Sequence, residues 1–157
     1  MESHLFIMKD FLLLQEKIKV AKKYLTESGK EIGDACQQGA ETYHDNAPFE
    51  EAVRQQNFWS GRVSELISLT FGVEIIEHYS GSETVTLGST VEFEDLGDKS
   101  HHTITIGSYA FAAYSDQEGV TSYASPLGAA LLGARVGDTR VFGLRKRNRM
   151  MKILKIS

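Results

Sequence analysis

Apolar residues in the first half of the chain recur at alternating intervals of three and four positions. This spacing is typical of a coiled-coil seam, and charged residues, mostly lysine and glutamate, occupy the positions between. The seam positions are Ile7, Phe11, Leu14, Ile18, Ala21, Leu25, Ser28, Ile32 and Ala35 in a first segment, and Phe49, Ala52, Gln56, Trp59, Val63, Leu66 and Thr70 in a second. The pattern therefore predicts two long amphipathic helices.

A short polar segment, AETYHDNAPFEE at residues 40–51, separates the two helical patterns. Asn46 suits an N-cap, and Pro48 is acceptable in a first helical turn because its missing N–H would be unpaired there. The second helix is thus predicted to begin near residue 47. Because the connection is short, the helices must fold back antiparallel, seam against seam, with residues 41–47 at the tip of the hairpin.

Beyond residue 72 the pattern changes to short segments rich in Val, Ile, Thr and aromatic residues, separated by Gly, Asp and Ser turns. Such segments predict β-strands, here VEIIE (73–77), VTLGSTVEFED (85–95), HHTITIG (101–107), SYAFAAY (108–114), TRVFGL (139–144) and MMKILKI (150–156). One helix interrupts them at SPLGAALLGA, where Ser125 is the predicted N-cap and Pro126 the first helical residue. We therefore predict an α+β chain: a coiled-coil hairpin over residues 1–72, and an antiparallel sheet with one covering helix over residues 73–157.

Composition and charge narrow the functional classes. The chain has 157 residues, a net charge of −4 and one cysteine, Cys36. An intrachain disulfide is therefore impossible, and bulk charge does not indicate a dedicated nucleic-acid binder. The N-terminal segment carries Glu2, Lys9 and Asp10 and lacks the basic start and cleavage site of a signal peptide. We expect a cytoplasmic protein with no membrane partner.

Several motifs resemble the bacterial Gre transcript-cleavage factors. In the second half these are VTLGSTVEFEDLGD (85–98), TITIGSYAF (103–111) and SPLGAALLGARVGDTRVF (125–142). In the hairpin, NFWSGRVSEL (57–66) and the tip residues Asp45, Asn46, Ala47 and Phe49 resemble the same family. The resemblance covers roughly residues 15–157.

The resemblance implies a C-terminal domain similar to FK506-binding proteins that docks on RNA polymerase at the rim of its secondary channel. The coiled coil would enter the channel, and its tip would help to hold a Mg²⁺ ion shared with the polymerase for cleavage of backtracked RNA. The chain would bind no cofactor alone, would meet the nascent RNA 3′ end only indirectly, and would act as a monomeric accessory factor rather than as an enzyme. The implied docking residues are Ser125, Pro126, Leu127 and Leu131.

The family pattern has two carboxylate residues at the tip, and this sequence lacks one of them. The family tip reads G-D-x-x-E-N-A-E-Y, and the register set by SGRV places Thr42 at the Asp position and Asp45 at the Glu position. Mg²⁺ prefers hard oxygen ligands such as carboxylates, so the neutral hydroxyl of Thr42 is a poor substitute. Asp45 is the candidate catalytic residue and metal ligand, and Glu41 is a candidate partial replacement for the missing carboxylate.

Three functions stay open. Asp45 and the hairpin favour an elongation factor that promotes cleavage of backtracked transcripts. Thr42 favours a related regulator that occupies the same channel without cleavage and competes with active factors or inhibits the polymerase. A prolyl isomerase is a third hypothesis that rests on fold alone, which is a poor warrant for function.

One dense basic run stands in the sequence at Arg145, Lys146, Arg147 and Arg149. Its position predicts a hairpin between the last two strands. Two interpretations fit: a solvated turn, or a contact with acidic polymerase surface or nucleic acid.

Overall fold

The computed structural model describes residues 3–38, 47–144 and 146–157. The elements in chain order are β1 (His4–Ile7), α1 (Met8–Gln38), α2 (Ala47–Ser68), β2 (Val73–Ile76), β3 (Thr90–Asp95), β4 (His101–Gly107), a 3₁₀ helix (Phe111–Ala113), β5 (Val120–Ser122), α3 (Pro126–Leu131), β6 (Thr139–Leu144) and β7 (Arg147–Ile156). Among these residues, no helix is long and apolar enough to cross a membrane.

The chain divides into two compact units. We call Leu14–Phe71 the hairpin unit, and Met1–Leu13 together with Gly72–Ser157 the sheet unit. Helix α1 starts in the sheet unit and continues through the hairpin unit, so the two units share one uninterrupted helix.

The hairpin unit contains both predicted helices, and burial follows the predicted seam. The buried seam positions are Leu14, Ala21, Ser28 and Ala35 in α1, which are alternate seam positions, and Ala52, Val63 and Leu66 in α2. The helices run antiparallel. Tyr24 of α1 stacks on Trp59 of α2. Gly29 lies later in α1 and approaches Gln56, which lies earlier in α2, since a Cβ added to Gly29 would be 3.8 Å from the Gln56 Nε2. The predicted helical hairpin is confirmed.

Residues 3–13 belong to the sheet unit. The sequence-based division instead placed them in the hairpin, together with all residues up to 72. β1 pairs in parallel with β2, from His4 opposite Val73 to Ile7 opposite Ile76. The expectation that the heptads begin at Ile7 is wrong, since that residue lies in a strand. Over so short a segment, apolar spacing does not distinguish a strand from the start of a helix.

The sheet unit is built on a mixed five-stranded sheet in the order β5-β4-β3-β7-β6. β3 pairs antiparallel with β4 and β7, and β6 pairs antiparallel with β7, whereas β5 runs parallel to β4. Helix α3 covers the sheet through a shared core whose buried members include Val91, Phe93, Ile106, Leu131, Phe142 and Ile153. The predicted sheet with one covering helix is confirmed, with parallel β5 as an addition.

The segment 108–114, predicted to be a strand, is a turn that contains the 3₁₀ helix. Ala110 has a φ of 49°, in the left-handed region, which interrupts any extended backbone. Phe111 and Tyr114 are both buried, with their rings edge to face at a centroid distance of 5.4 Å. The aromatic alternation in this segment therefore reflects packing around a turn.

A buried carboxylate fastens the first turn of α1 to the sheet unit. Asp10 is 5% exposed, and its Oδ2 accepts hydrogen bonds from the backbone N–H of Ser108 at 3.1 Å and from the Ser108 hydroxyl at 2.6 Å. The Ser108 Oγ accepts a hydrogen bond from the Ile7 N–H at 3.0 Å. Burial, and secondarily the Asp10 carboxylate, raise the pKa of the neighbouring Tyr114 hydroxyl above its ordinary value. The buried Asp10 side chain is tolerated because both Ser108 donors hydrogen-bond to it.

We predict that Asp10→Ala destabilises the sheet unit by about 2 kcal/mol, because both Ser108 donors lose their acceptor in a buried site. Calorimetry should show the melting temperature of the sheet unit lowered by roughly 10 °C. Asp34→Ala is the matched control, since Asp34 is an exposed aspartate of the same helix. Equal melting temperatures for the two variants would contradict the prediction.

Candidate functional site

The predicted catalytic tip lies outside the described residues. α1 ends at Gln38 and α2 begins at Ala47, so Glu41, Thr42 and Asp45 fall in the segment between them. Among the residues that the structure does describe, no group of three or more His, Cys, Asp or Glu side chains is placed to hold a metal ion. The assignment of a shared Mg²⁺ to Asp45 therefore stays a prediction.

The helical turns that flank this segment carry more carboxylates than cations. The acidic residues are Glu31, Asp34, Glu50 and Glu51, and the basic residues are Lys30 and Arg54. Arg54 is already paired with Glu51, at 2.9 Å between Nη2 and Oε2. An excess of negative charge at the end of the hairpin favours a divalent cation there and disfavours phosphate.

The side of the hairpin carries an aromatic cluster that the sequence did not predict. Tyr24 of α1 stacks on Trp59 of α2, with ring centroids 4.7 Å apart and an interplanar angle of 21°. Phe58 contacts Trp59 edge to face at 5.0 Å and is 60% exposed. In the sequence, Tyr24 stands one position outside the seam and looks like a surface residue, so only the pairing of the helices shows the cluster.

Helix α3 begins as the sequence predicts. Ser125 is the N-cap, and its Oγ accepts a hydrogen bond from the Gly128 N–H at 3.0 Å. The same hydroxyl donates to the Ser122 carbonyl oxygen at 2.8 Å. Pro126 occupies the first turn, where it needs no hydrogen-bond acceptor. The cap holds the start of α3 on the loop that follows β5.

The four residues predicted for docking differ in exposure. Pro126 is exposed, Ser125 and Leu127 are half-buried, and Leu131 has no exposed surface. Leu131 belongs to the hydrophobic core, so it holds α3 in place and offers no side chain to a partner. Docking through Ser125, Pro126, Leu127 and Leu131 stays a prediction, and Leu131 contributes to it only by supporting α3 from the core.

A second aromatic cluster lies just before α3 in the sheet unit. His4 stacks on Tyr109 with ring centroids 3.7 Å apart, and the Tyr123 hydroxyl accepts a hydrogen bond from the Leu5 N–H at 3.1 Å. These residues line a surface pocket that extends to Ala124, next to the N-cap of α3. The sequence did not predict this pocket, because its N-terminal residues, His4 and Leu5, were expected to belong to the hairpin.

The basic run lies at the predicted hairpin between β6 and β7, and its members differ in role. Arg149 pairs with the buried Asp95, at 3.2 Å between Nε and Oδ2, and with Asp98, at 3.7 Å between Nη2 and Oδ2. The pKa of Asp98 is lowered mainly by hydrogen bonds from the Ser100 side chain and backbone, with a smaller contribution from Arg149. Arg147 is exposed and, within the described part of the chain, forms no ion pair. Arg145 lies outside the described residues.

We predict that Arg149→Ala destabilises the sheet unit by about 2 kcal/mol, because it leaves the buried Asp95 carboxylate without its cation. Arg147→Ala is the matched control on the same strand and should leave the free energy of unfolding unchanged. Urea denaturation of both variants measures the difference. If the two substitutions cost the same, the assignment of Arg149 to the structural network fails.

Comparison with known proteins relates the sheet unit to one family. Residues 80–157 match the family model described as "Transcription elongation factor, GreA/GreB, C-term". The transcription elongation factor GreA of Halalkalibacterium halodurans is 32% identical over 156 residues, covering 94% of this chain and 96% of that protein. GreA of Bacillus subtilis is 32% identical over 142 residues, covering 90% of this chain and 79% of that protein.

The crystal structure of GreA factor homolog 1 (Gfh1) of Thermus thermophilus is 26% identical in sequence to this chain and covers 99% of both chains, with a TM-score of 0.46.

Proposed function

Because this chain belongs to the GreA/GreB family of transcription elongation factors, we propose that it binds RNA polymerase and inserts its hairpin into the secondary channel to act on backtracked complexes. The observation that carries the proposal is the hairpin itself. Its two helices pair along the predicted seam and end on either side of residues 39–46. A segment held in this way is suited to reach a site that a compact domain cannot enter.

In this proposal the sheet unit docks on the polymerase. Pro126 is exposed at the start of α3, and the pocket lined by His4, Tyr109 and Tyr123 lies beside it. Aromatic side chains that keep one polar atom are common at protein interfaces. The fully buried Leu131 and the Ser125 cap keep this face in one conformation, which lowers the entropy cost of binding.

The tip supplies carboxylate chemistry in the proposal. When bound between the tip and the polymerase, Mg²⁺ would stabilise charge on the scissile phosphate. The oxygen donors of Asp45 and Glu41 fit this ion, and the acidic flanks of the hairpin raise its local concentration. Asp45 would hold and orient the ion, whereas the hydroxyl of Thr42 adds no charge. The chain would thus contribute one strong ligand where the family pattern has two.

A second candidate function is a regulator that occupies the channel without promoting cleavage. Thr42 at the expected Asp position is the observation that favours it. In this case the hairpin would exclude active factors from the channel or inhibit the polymerase directly.

We predict that Thr42→Asp raises the rate of transcript cleavage in a stalled polymerase complex by at least about tenfold, since about 1.4 kcal/mol of added transition-state stabilisation is enough for that factor. Asp45→Ala should remove any cleavage that the wild type stimulates. Thr42→Asn is the control, because it adds a polar side chain of similar size to Asp without a charge.

The same cleavage assay separates the two candidate functions. A wild type that already cleaves as fast as an active family member, with no change on Thr42→Asp, would contradict our account of the tip. Inhibition of the polymerase by the wild type, with no cleavage in either the wild type or Thr42→Asp, would support the second function and overturn the first.

We also predict that deletion of residues 42–47 leaves polymerase affinity within about threefold of wild type, because binding energy concentrates in a few residues and the proposed docking residues lie outside the deleted segment. Pro126→Asp, which places a charge on the exposed docking face, should weaken binding by about tenfold or more, the effect of a charge buried without a partner. Pull-down titration with core RNA polymerase measures both. Loss of binding in the deletion variant would contradict this division of roles.

A further inference from the structure

We propose that a niche on the side of the hairpin binds one arginine side chain of the polymerase. The niche has a volume of about 160 Å³ and lies within the hairpin unit. Its lining residues are Tyr24, Glu27, Ser28, Glu31, Gln55 and Trp59. This inference rests on the proposed function for the identity of the partner, but the chemistry of the niche can be tested without the polymerase.

The aromatic wall of the niche is preformed. Tyr24 and Trp59 are already stacked on each other across the two helices, and Tyr24 is 44% exposed. Phe58 extends the aromatic surface beside Trp59. A flat aromatic surface that is partly open to solvent attracts a cation, and most strongly the planar guanidinium group of arginine.

Two carboxylates complete the niche with negative charge. Among the described residues no ion pair involves Glu31, so its charge is available to a partner. Within the described part of the chain, the one ion pair of Glu27 is with Lys23, at 3.9 Å between Nζ and Oε1, and both side chains are well exposed. A surface pair of this kind contributes little and exchanges readily for a stronger one.

The other polar side chains of the niche carry no charge, and two of them already donate hydrogen bonds within the hairpin. Gln55 donates its Nε2 hydrogen to Glu51 at 2.9 Å, and Ser28 donates its hydroxyl hydrogen to the Leu25 carbonyl oxygen at 2.9 Å. The carboxylates of Glu27 and Glu31 are therefore the charged acceptors that the niche offers to an incoming donor. Arginine fits best, because its guanidinium can stack on Tyr24 and donate in parallel to a carboxylate.

The first test uses Trp59, the single tryptophan of the chain, as a reporter inside the niche. The full chain is titrated with N-acetyl-arginine amide, and with N-acetyl-citrulline amide as the neutral probe of the same shape. We expect a saturable change of tryptophan fluorescence with the arginine probe, weakened at least about threefold by Glu31→Gln, in line with the loss of one charge-assisted hydrogen bond. An equal response to both probes, or no response to either, overturns the proposal.

The second test measures the affinity of core RNA polymerase for the wild type, Glu31→Gln and Glu16→Gln. Glu16 is the matched control because it is an exposed glutamate of α1 about 22 Å from Glu31 along the helix, at 1.5 Å per residue. We expect Glu31→Gln to weaken binding by about tenfold, because the arginine at the interface loses its charged partner. Glu16→Gln should leave the affinity unchanged, because Glu16 lies outside the niche. Equal affinities for the two variants overturn the inference.

The two tests separate failure of the niche from failure of the proposed function. If the wild type does not bind polymerase at all, the proposed function fails, and the fluorescence titration still decides whether the niche takes a guanidinium group. If the wild type binds and Glu31→Gln behaves like the control, the niche fails while the proposed function stands.

Discussion

The hydrogen bonds that Asp10 accepts from Ser108 hold together the parts of the chain on which everything else depends. They connect the first turn of α1 to the residue that follows β4, and the Ser108 hydroxyl also binds the backbone of β1. A helix and two strands from distant parts of the sequence thus meet at one buried carboxylate. Helix α1 then runs without interruption from this first turn to Gln38.

Apolar burial in the hairpin is uneven along its length. The larger buried side chains, Leu14, Val63 and Leu66, lie near the ends that join the sheet unit, whereas Ser28, Ala35 and Ala52 occupy the seam farther out. A fully buried leucine contributes roughly 1.5–3 kcal/mol and an alanine much less. Stability is therefore concentrated at the base, and the narrow outer seam keeps the helices close together.

The success of the sequence-based predictions depended on how local the determining interactions are. The limits of β4 and β6 agree with the predicted segments 101–107 and 139–144. In each segment apolar and polar residues alternate, and turn residues bound the segment. β1 and β5 both pair in parallel with strands that no tight turn connects to them, so no local signal marks them. For the site, the assignment of Asp45 and Thr42 rests on the motif resemblance and stays a prediction, because both residues lie outside the described part of the chain. The stack of Tyr24 on Trp59 joins two helices and has no counterpart in linear spacing.

The parallel pairing of β1 with β2 has a consequence for the order of folding. These strands are separated in sequence by the whole hairpin, and closing a loop of that length carries an entropic cost before any strand contact compensates it. Once α1 and α2 have paired, however, the end of β1 and the start of β2 are brought near each other, because β1 leads directly into α1 and β2 follows α2 closely. Pairing of the helices, which rests on local heptads, thus shortens the effective loop. We therefore expect the helical hairpin to form before β1 pairs with β2, so that the N-terminal strand is incorporated late in folding.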